Sequence, residues 1–371
     1  MLVLLNALQA GNRSGTGRYA TELARWLPQL TGDFQFAVLW PADVPHPHRE
    51  TGLHEAFLPQ DVRSAWRRLY LDQIGIRDIR TRLMANIVHY PASVGSLFAI
   101  HNAVVTIHDL SFFREPQWFR PAHAAYYRFA VRRSVYVARR IIADSQATAR
   151  DLHDLLRVPQ DRIDVIPLGV GEDYCPAPAE AIAAVRGKYR LPPQFFLFLG
   201  TLEPRKNVVR LIEAWSAIAG ECPYDLVLAG RDGWKSRPIH KAVAASPFAS
   251  RIHLPGFIAH EDLPALLSAA RAFVWPSLWE GFGLPPLEAM ACGTPVLTSN
   301  VSSLPEAVGG AALTVDPYSM EAIAEGMKHL ADDEVLRNML RAKGLERAAT
   351  FTWRRTAEAT IETYRATLAL G

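Results

Sequence analysis

Short apolar runs alternate with amphipathic stretches of helical period along nearly the whole chain, and no other feature of the sequence restricts the fold as strongly. Apolar strands interleaved with helices form parallel sheets whose two faces are both covered, so the fold class is α/β. The runs at 1–5, 34–39, 87–89, 104–107, 141–143 and 163–166 read as strands, separated by helical segments such as 17–27 and 122–139. Runs at 195–199, 226–229, 252–254, 272–274, 295–298 and 312–315 repeat the habit. Between the two sets lies Pro167-Leu-Gly-Val-Gly-Glu-Asp-Tyr-Cys-Pro-Ala-Pro, where neither helix nor strand should persist. A domain boundary is expected there, with 1–168 forming one Rossmann-like domain and 169–353 a second.

Length supports the division: 371 residues exceed the roughly 250–300 beyond which a single core usually splits. With 49% hydrophobic and 21% charged residues the chain is an ordinary globular one, and no stretch approaches the ~20 apolar residues of a membrane span. Met1-Leu-Val-Leu-Leu has no basic region before it, so it reads as a strand rather than a signal peptide, and a cytoplasmic location is expected. Cys175, Cys222 and Cys292 are isolated and offer neither a zinc site nor a redox pair. A net charge of +3 suits anionic ligands or a lipid surface and argues for no nucleic-acid partner.

Ligands of open α/β sheets bind beyond the carboxyl ends of the strands, so chemistry should reside in strand-to-helix loops, and two such sheets facing each other would form a cleft. The longest such segment is Trp275-Pro-Ser-Leu-Trp-Glu-Gly-Phe-Gly-Leu-Pro-Pro-Leu-Glu-Ala-Met-Ala-Cys-Gly. A strand ends at Trp275, and Pro285 and Pro286 suit the first turn of a helix that stops at Gly293. Amides near Gly283 and Leu284, with the positive end of the helix dipole, make an anion site suited to a diphosphate. Glu280 before the helix and Glu288 within it can accept hydrogen bonds from hydroxyls; capping and solvation are the alternative roles. In Phe195-Phe-Leu-Phe-Leu-Gly-Thr-Leu-Glu-Pro-Arg-Lys-Asn a strand runs into a loop from which Arg205 and Lys206 should project, two cations able to neutralise a leaving diphosphate. Gly11-Asn-Arg-Ser-Gly-Thr-Gly, with Gly15 and Gly17, lets backbone approach a phosphate or forms a plain turn. His108 and Asp109 close the strand 104–107; Asp109 either orients the imidazole or caps the next turn, and Asp144 or Ser145 caps the helix after 141–143.

The segment Glu280-Gly-Phe-Gly-Leu-Pro-Pro-Leu-Glu288-Ala-Met-Ala-Cys-Gly293 resembles the motif of GT4-type retaining glycosyltransferases (glycosyl transferases group 1) of GT-B architecture, in which two glutamates are separated by seven intervening residues. The resemblance implies two Rossmann-like domains facing across a cleft, with a C-terminal helix, 354–371, crossing back to the first. It implies that Glu288 binds ribose hydroxyls, and that Glu280 with the backbone of Gly281, Phe282, Gly283 and Leu284 holds the transferred sugar and phosphates. It further implies phosphate contacts from Arg205 and Lys206 and from the loop of Gly15 and Gly17, a sugar-contacting His108, and a nucleobase against the backbone of Phe257 and Ile258. Thr201 departs from the pattern, since many relatives carry arginine directly after the glycine, and this leaves open whether Arg205 takes over that role.

No Asp-x-Asp triplet occurs, so no metal and no cofactor beyond the nucleotide-sugar co-substrate is expected. The resemblance implies retention of anomeric configuration without a protein nucleophile. Together with the stretch Gly200-Thr-Leu-Glu-Pro-Arg-Lys-Asn it is similar to bacterial mannosyltransferases that use GDP-mannose, with rhamnose, glucose and galactose donors also open. A nucleotide-sugar-binding protein without turnover, or an epimerase, is the competing reading. Arg63, Arg67, Arg68, Arg77, Arg80, Arg82, Arg128, Arg132, Arg133, Arg139 and Arg140, with Trp66, Leu69, Tyr70 and Leu71 interleaved, form either solvated faces or a surface for anionic lipid. On the lipid reading the acceptor is a polyprenyl-diphosphate-linked saccharide.

Overall fold

The computed structural model describes every residue except 13–14, 31, 46–54, 63, 65–66, 68–69 and 370–371. Arg13 and Ser14 of the glycine-rich loop, and Arg63, Trp66, Arg68 and Leu69 of the basic segment, therefore lie outside the described residues. The chain forms two compact units, Met1–Gly169 with Thr352–Gly371, and Val170–Phe351.

The first unit is built on seven strands: β1 (Leu2–Asn6), β2 (Gln35–Pro41), β3 (Glu55–Gln60), β4 (Ile87–Tyr90), β5 (Ala103–Ile107), β6 (Arg140–Ala143) and β7 (Ile163–Val165). They lie in the order β3-β2-β1-β4-β5-β6-β7 and every neighbouring pair is parallel. The sequence reading omits β3, whose pattern is interrupted by Glu55 and Pro59. Proline cannot donate to a ladder on both sides, and β3 is indeed the sheet edge.

The second unit holds β8 (Phe195–Leu199), β9 (Asp225–Ala229), β10 (Ile252–Gly256), β11 (Ala272–Trp275), β12 (Val296–Ser299) and β13 (Leu313–Val315), in the order β10-β9-β8-β11-β12-β13. The sequence Phe-Phe-Leu-Phe-Leu of β8 suits a strand covered on both faces: Phe195, Phe196, Leu197 and Phe198 are fully buried. Each buried phenylalanine contributes roughly 1.5–3 kcal/mol. In both sheets the order reverses beside the first strand, between β1 and β4 and between β8 and β11, and at such switch points loops from adjacent strands diverge and leave room for a ligand.

The helix Trp353–Ala369 belongs to the first unit, and buried polar contacts hold it there. Tyr364, fully buried, has its hydroxyl 2.7 Å from His89 Nδ1, while His89 Nε2 lies 2.9 Å from Thr106 Oγ1. The Tyr19 hydroxyl is 3.1 Å from the same Thr106 oxygen. Burial, and then the nearby charge of His108, push the His89 imidazole down to about 3, so it is neutral and can accept at one nitrogen while donating at the other. Thr356 Oγ1 donates to the carbonyl of Pro167 at 2.8 Å, and a side chain at Gly169 would strike the Trp353 amide nitrogen at 2.1 Å, so the returning chain requires glycine there.

Candidate active site

The loops after β8 and β11 meet because these strands are neighbours. Gly200, just past β8, has room for no Cβ, which would lie 2.8 Å from the Trp275 ring. The chain then turns through Pro204–Lys206 and reaches Asn207, which takes a left-handed conformation at φ 61° and starts the helix Val208–Ile218. Asn207 Nδ2 donates to the carbonyls of Pro276 and Pro317 at 3.0 and 2.7 Å, tying the β8 loop to those after β11 and β13. The Leu278 amide donates to the Arg205 carbonyl at 2.9 Å. Four charged side chains are thereby drawn together: Glu203, Arg205, Lys206 and Glu280.

Lys206 Nζ donates to Glu280 Oε1 at 2.6 Å, and Arg205 Nη1 donates to Glu280 Oε2 at 3.0 Å and to the Trp279 carbonyl at 2.7 Å. Arg205 Nε and Nη2 both donate to Glu203 Oε1, at 3.2 and 3.0 Å. The Lys206 ammonium also sits 4.4 Å from the centroid of the Trp275 ring, a cation–π contact. Burial alone would raise the Glu280 carboxyl, but the charges of Lys206 and Arg205 outweigh it and hold it at about 2. Burial, reinforced by the Arg205 charge, makes Lys206 less basic than usual. Instead of projecting from the loop, then, Lys206 is 8% exposed and both cations are engaged by carboxylates.

The backbone of the β11 loop is held by two serines. Glu280 N donates to Ser302 Oγ at 2.9 Å, the Ser303 hydroxyl donates to the Glu280 carbonyl at 2.9 Å, and it also lies 2.7 Å from the Phe282 carbonyl. Gly283, at φ 127°, precedes the helix Leu284–Ala291, which has no side-chain N-cap. Pro285 and Pro286 carry no N–H, so the amides that open at this helix start are those of Gly283 and Leu284. Glu288 is buried on the second turn, 6% exposed, and Gly281 and Phe282 complete the loop. Thr201 is exposed at the start of the β8 loop. Phe257 and Ile258 follow β10 at the sheet edge, two strands removed from β8. Phe257 is exposed beneath the Arg231 guanidinium, 4.7 Å from its ring, whereas Ile258 packs inside.

His108, Gly15 and Gly17 belong to the first unit. His108 Nδ1 is 2.6 Å from Asp144 Oδ2 and Nε2 is 2.8 Å from the Pro91 carbonyl. A carbonyl can only accept, so Nε2 carries a proton, and the carboxylate favours one on Nδ1. Burial opposes the charged ring, but the charge and hydrogen bond of Asp144 prevail and raise the pKa of His108. Asp144 rather than Asp109 thus orients the imidazole. Asp109 Oδ1 accepts from the Ser111 amide at 3.0 Å and caps the next turn, while Ser145 caps the helix Gln146–Leu156. Gly17 serves its own loop, since a Cβ there would lie 1.8 Å from the Asn12 carbonyl oxygen; Gly15 has open space.

Sequence reasoning missed Glu203, Asn207, Asp144, Ser302 and Ser303 as parts of these clusters. Their pairing follows from strand adjacency, to which local spacing is blind. One signal was available: Glu203 lies two residues before Arg205 in a loop at a strand's carboxyl end.

Residues 184–347 match the family described as Glycosyl transferases group 1, and residues 13–174 match Glycosyltransferase Family 4. The chain is 37% identical over 270 residues to the O-antigen chain mannosyltransferase B of Escherichia coli, covering 72% of this chain and 71% of that one. It is 38% identical over 229 residues to the serotype-specific mannosyltransferase WbdA of Escherichia coli, where the match covers 60% of this chain but 28% of that larger protein. In fold it is similar to a sucrose-phosphate synthase from Thermosynechococcus elongatus, with a TM-score of 0.77 at 20% identity over the full length of both chains.

Proposed function

Because the chain belongs to the glycosyl transferases group 1 family of GT-B glycosyltransferases, we propose that it transfers mannose, with retention of configuration, from GDP-mannose to a saccharide or polyprenyl-diphosphate-linked saccharide in bacterial surface polysaccharide synthesis. The mannosyl part rests on the two Escherichia coli relatives named above. The observation that carries the chemistry is the placing of Lys206 and Arg205 at the β8–β11 switch point, beside the loop that opens the helix Leu284–Ala291. There the bond from the anomeric carbon to the β-phosphate oxygen breaks, and the cations and the amides of Gly283 and Leu284 stabilise the departing nucleoside diphosphate. The acceptor oxygen bonds to the anomeric carbon on the face the phosphate leaves, and its proton passes to a phosphate oxygen. Protein cations neutralise the leaving group in this scheme, so turnover continues in excess chelator.

Glu288 holds the ribose hydroxyls, Glu280 the sugar, and the backbone at Phe257 and Ile258 the base. The test is a panel of nucleotide sugars in which base and sugar are varied separately. Release of GDP from GDP-mannose supports the reading; binding of donors without turnover, or conversion of one donor into another, would replace it.

We also propose that the protein works at the cytoplasmic face of the membrane, where a lipid-linked acceptor would lie. Among the described residues no helix is long and apolar enough to cross a membrane. The helix Pro121–Val137, however, exposes Tyr126, Phe129 and Tyr136, with Arg133 against Tyr136 and Arg128 and Arg132 against Phe113. Aromatic side chains with arginines beside them suit an anionic lipid surface.

A further inference from the structure

The two cations available to a diphosphate are already spoken for. Arg205 and Lys206 carry two positive charges and Glu203 and Glu280 two negative ones, so the buried cluster is neutral as it stands. A buried diphosphate brings charge that must be matched, and it cannot be matched while both cations are neutralised. One carboxylate has to leave, and the geometry distinguishes the two. Glu203 grips a single partner through one oxygen, with its side chain 4% exposed. Glu280 instead bridges both cations, Oε1 on Lys206 and Oε2 on Arg205, as a diphosphate's oxygens would, and its side chain is the more exposed at 10%. Its backbone is clamped by Ser302 and Ser303, so exchange requires only rotation about side-chain torsions.

We propose that the Glu280 carboxylate is a placeholder for the donor diphosphate: it bridges Lys206 and Arg205 in the donor-free protein and is displaced from both when a nucleotide sugar binds, while Glu203 stays on Arg205. This rests on the donor-binding reading given above. The displaced carboxylate is then free to accept hydroxyl hydrogens of the sugar, so the sugar compensates for the ion pairs lost. A bare nucleoside diphosphate lacks that compensation and has to compete with Glu280.

The consequence is a proton. The ionisable groups facing Glu280 are Lys206 and Arg205, with Glu203 behind Arg205, and the two cations keep its carboxyl at about 2. Released from them and placed near a diphosphate, it returns to the ordinary carboxylate range or above. Isothermal titration calorimetry of GDP-mannose binding to the wild-type protein, without acceptor, in buffers of differing ionisation heat measures the linked proton. The diphosphate diester itself does not titrate at the pH used. At pH ~5 the expected uptake is roughly 0.2 proton for a carboxyl at its ordinary value and larger for one raised by the diphosphate, absent in Glu280→Gln and absent at pH ~7.5. Binding of GDP-mannose at pH ~5 with no proton uptake would overturn the proposal. In a second arm at pH ~7.5, Glu280→Gln should bind GDP about tenfold more tightly than wild type; equal or weaker binding counts against displacement. Lys206→Met separates the two levels: GDP-mannose binding as tight as wild type refutes the donor site itself. UDP-glucose is the second probe, and if neither nucleotide sugar binds the wild-type protein, the donor site and the placeholder fall together.

Discussion

His108 has an acceptor against each ring nitrogen, which makes it a fixed hydrogen-bond donor and leaves no lone pair for a proton from substrate. Its charge depends chiefly on Asp144, so Asp144→Asn should drop the His108 pKa below the ordinary histidine value, because burial, the largest influence, then outweighs the Pro91 hydrogen bond and the Asp109 charge that remain. An NMR titration of the ring protons reads this directly, and an unmoved pKa would show that Asp144 does not govern the charge. The raised pKa also sets a sign for stability: the contribution is complete below the unfolded value of about 6.5 and is lost as pH rises through the folded one. That His108 sits at a strand end was legible in Val104-Val-Thr-Ile-His-Asp. Its partner was not, because Asp109 is next in sequence while Asp144 arrives from the neighbouring strand β6. Lys206 teaches the same lesson: Arg-Lys reads as two cations projecting from a loop until the loop from β11 brings Glu280 to them.

Elements hold these side chains in place, and glycine decides where the loops can pass. Gly230 adopts φ 140° and a Cβ on it would lie 1.9 Å from the Gly200 carbonyl oxygen, directly beneath the β8 loop. Gly230→Ala should therefore destabilise the protein by about 3 kcal/mol or more, and a melting temperature equal to wild type would contradict the close approach. The helix Trp353–Ala369 is fastened by its buried tyrosine: Tyr364→Phe removes a partner from His89 and should cost about 1–3 kcal/mol in chemical denaturation. Strand and helix periodicity made nearly all of the two sheets readable. The exception, β3, is an edge strand carrying a proline, and an edge needs neither full apolarity nor a complete set of N–H donors. The glycine-rich segment also proved ambiguous, since Gly17 is required by a contact within its own loop.

For the whole molecule, acid stability should reflect His89, the neutral histidine at the heart of the first unit. A base whose folded pKa is depressed contributes stability that is present above its unfolded value of about 6.5 and lost as pH falls toward the folded value of about 3. Melting temperature should accordingly fall through that window, and a flat profile would show that His89 does not govern acid stability. Sedimentation with vesicles containing phosphatidylserine should carry the protein down at low salt, with the double substitution Phe129→Ser and Tyr136→Ser releasing it; equal sedimentation of the variant would remove that helix from the interaction. The central claim, that Lys206 and Arg205 at the β8–β11 switch point drive departure of the nucleoside diphosphate, is met most directly by one rate. Release of GDP from GDP-mannose should fall at least ~100-fold in Lys206→Met, the order of loss expected when a transition-state charge partner is removed. A folded Lys206→Met protein that turns over within about twofold of wild type would contradict the account.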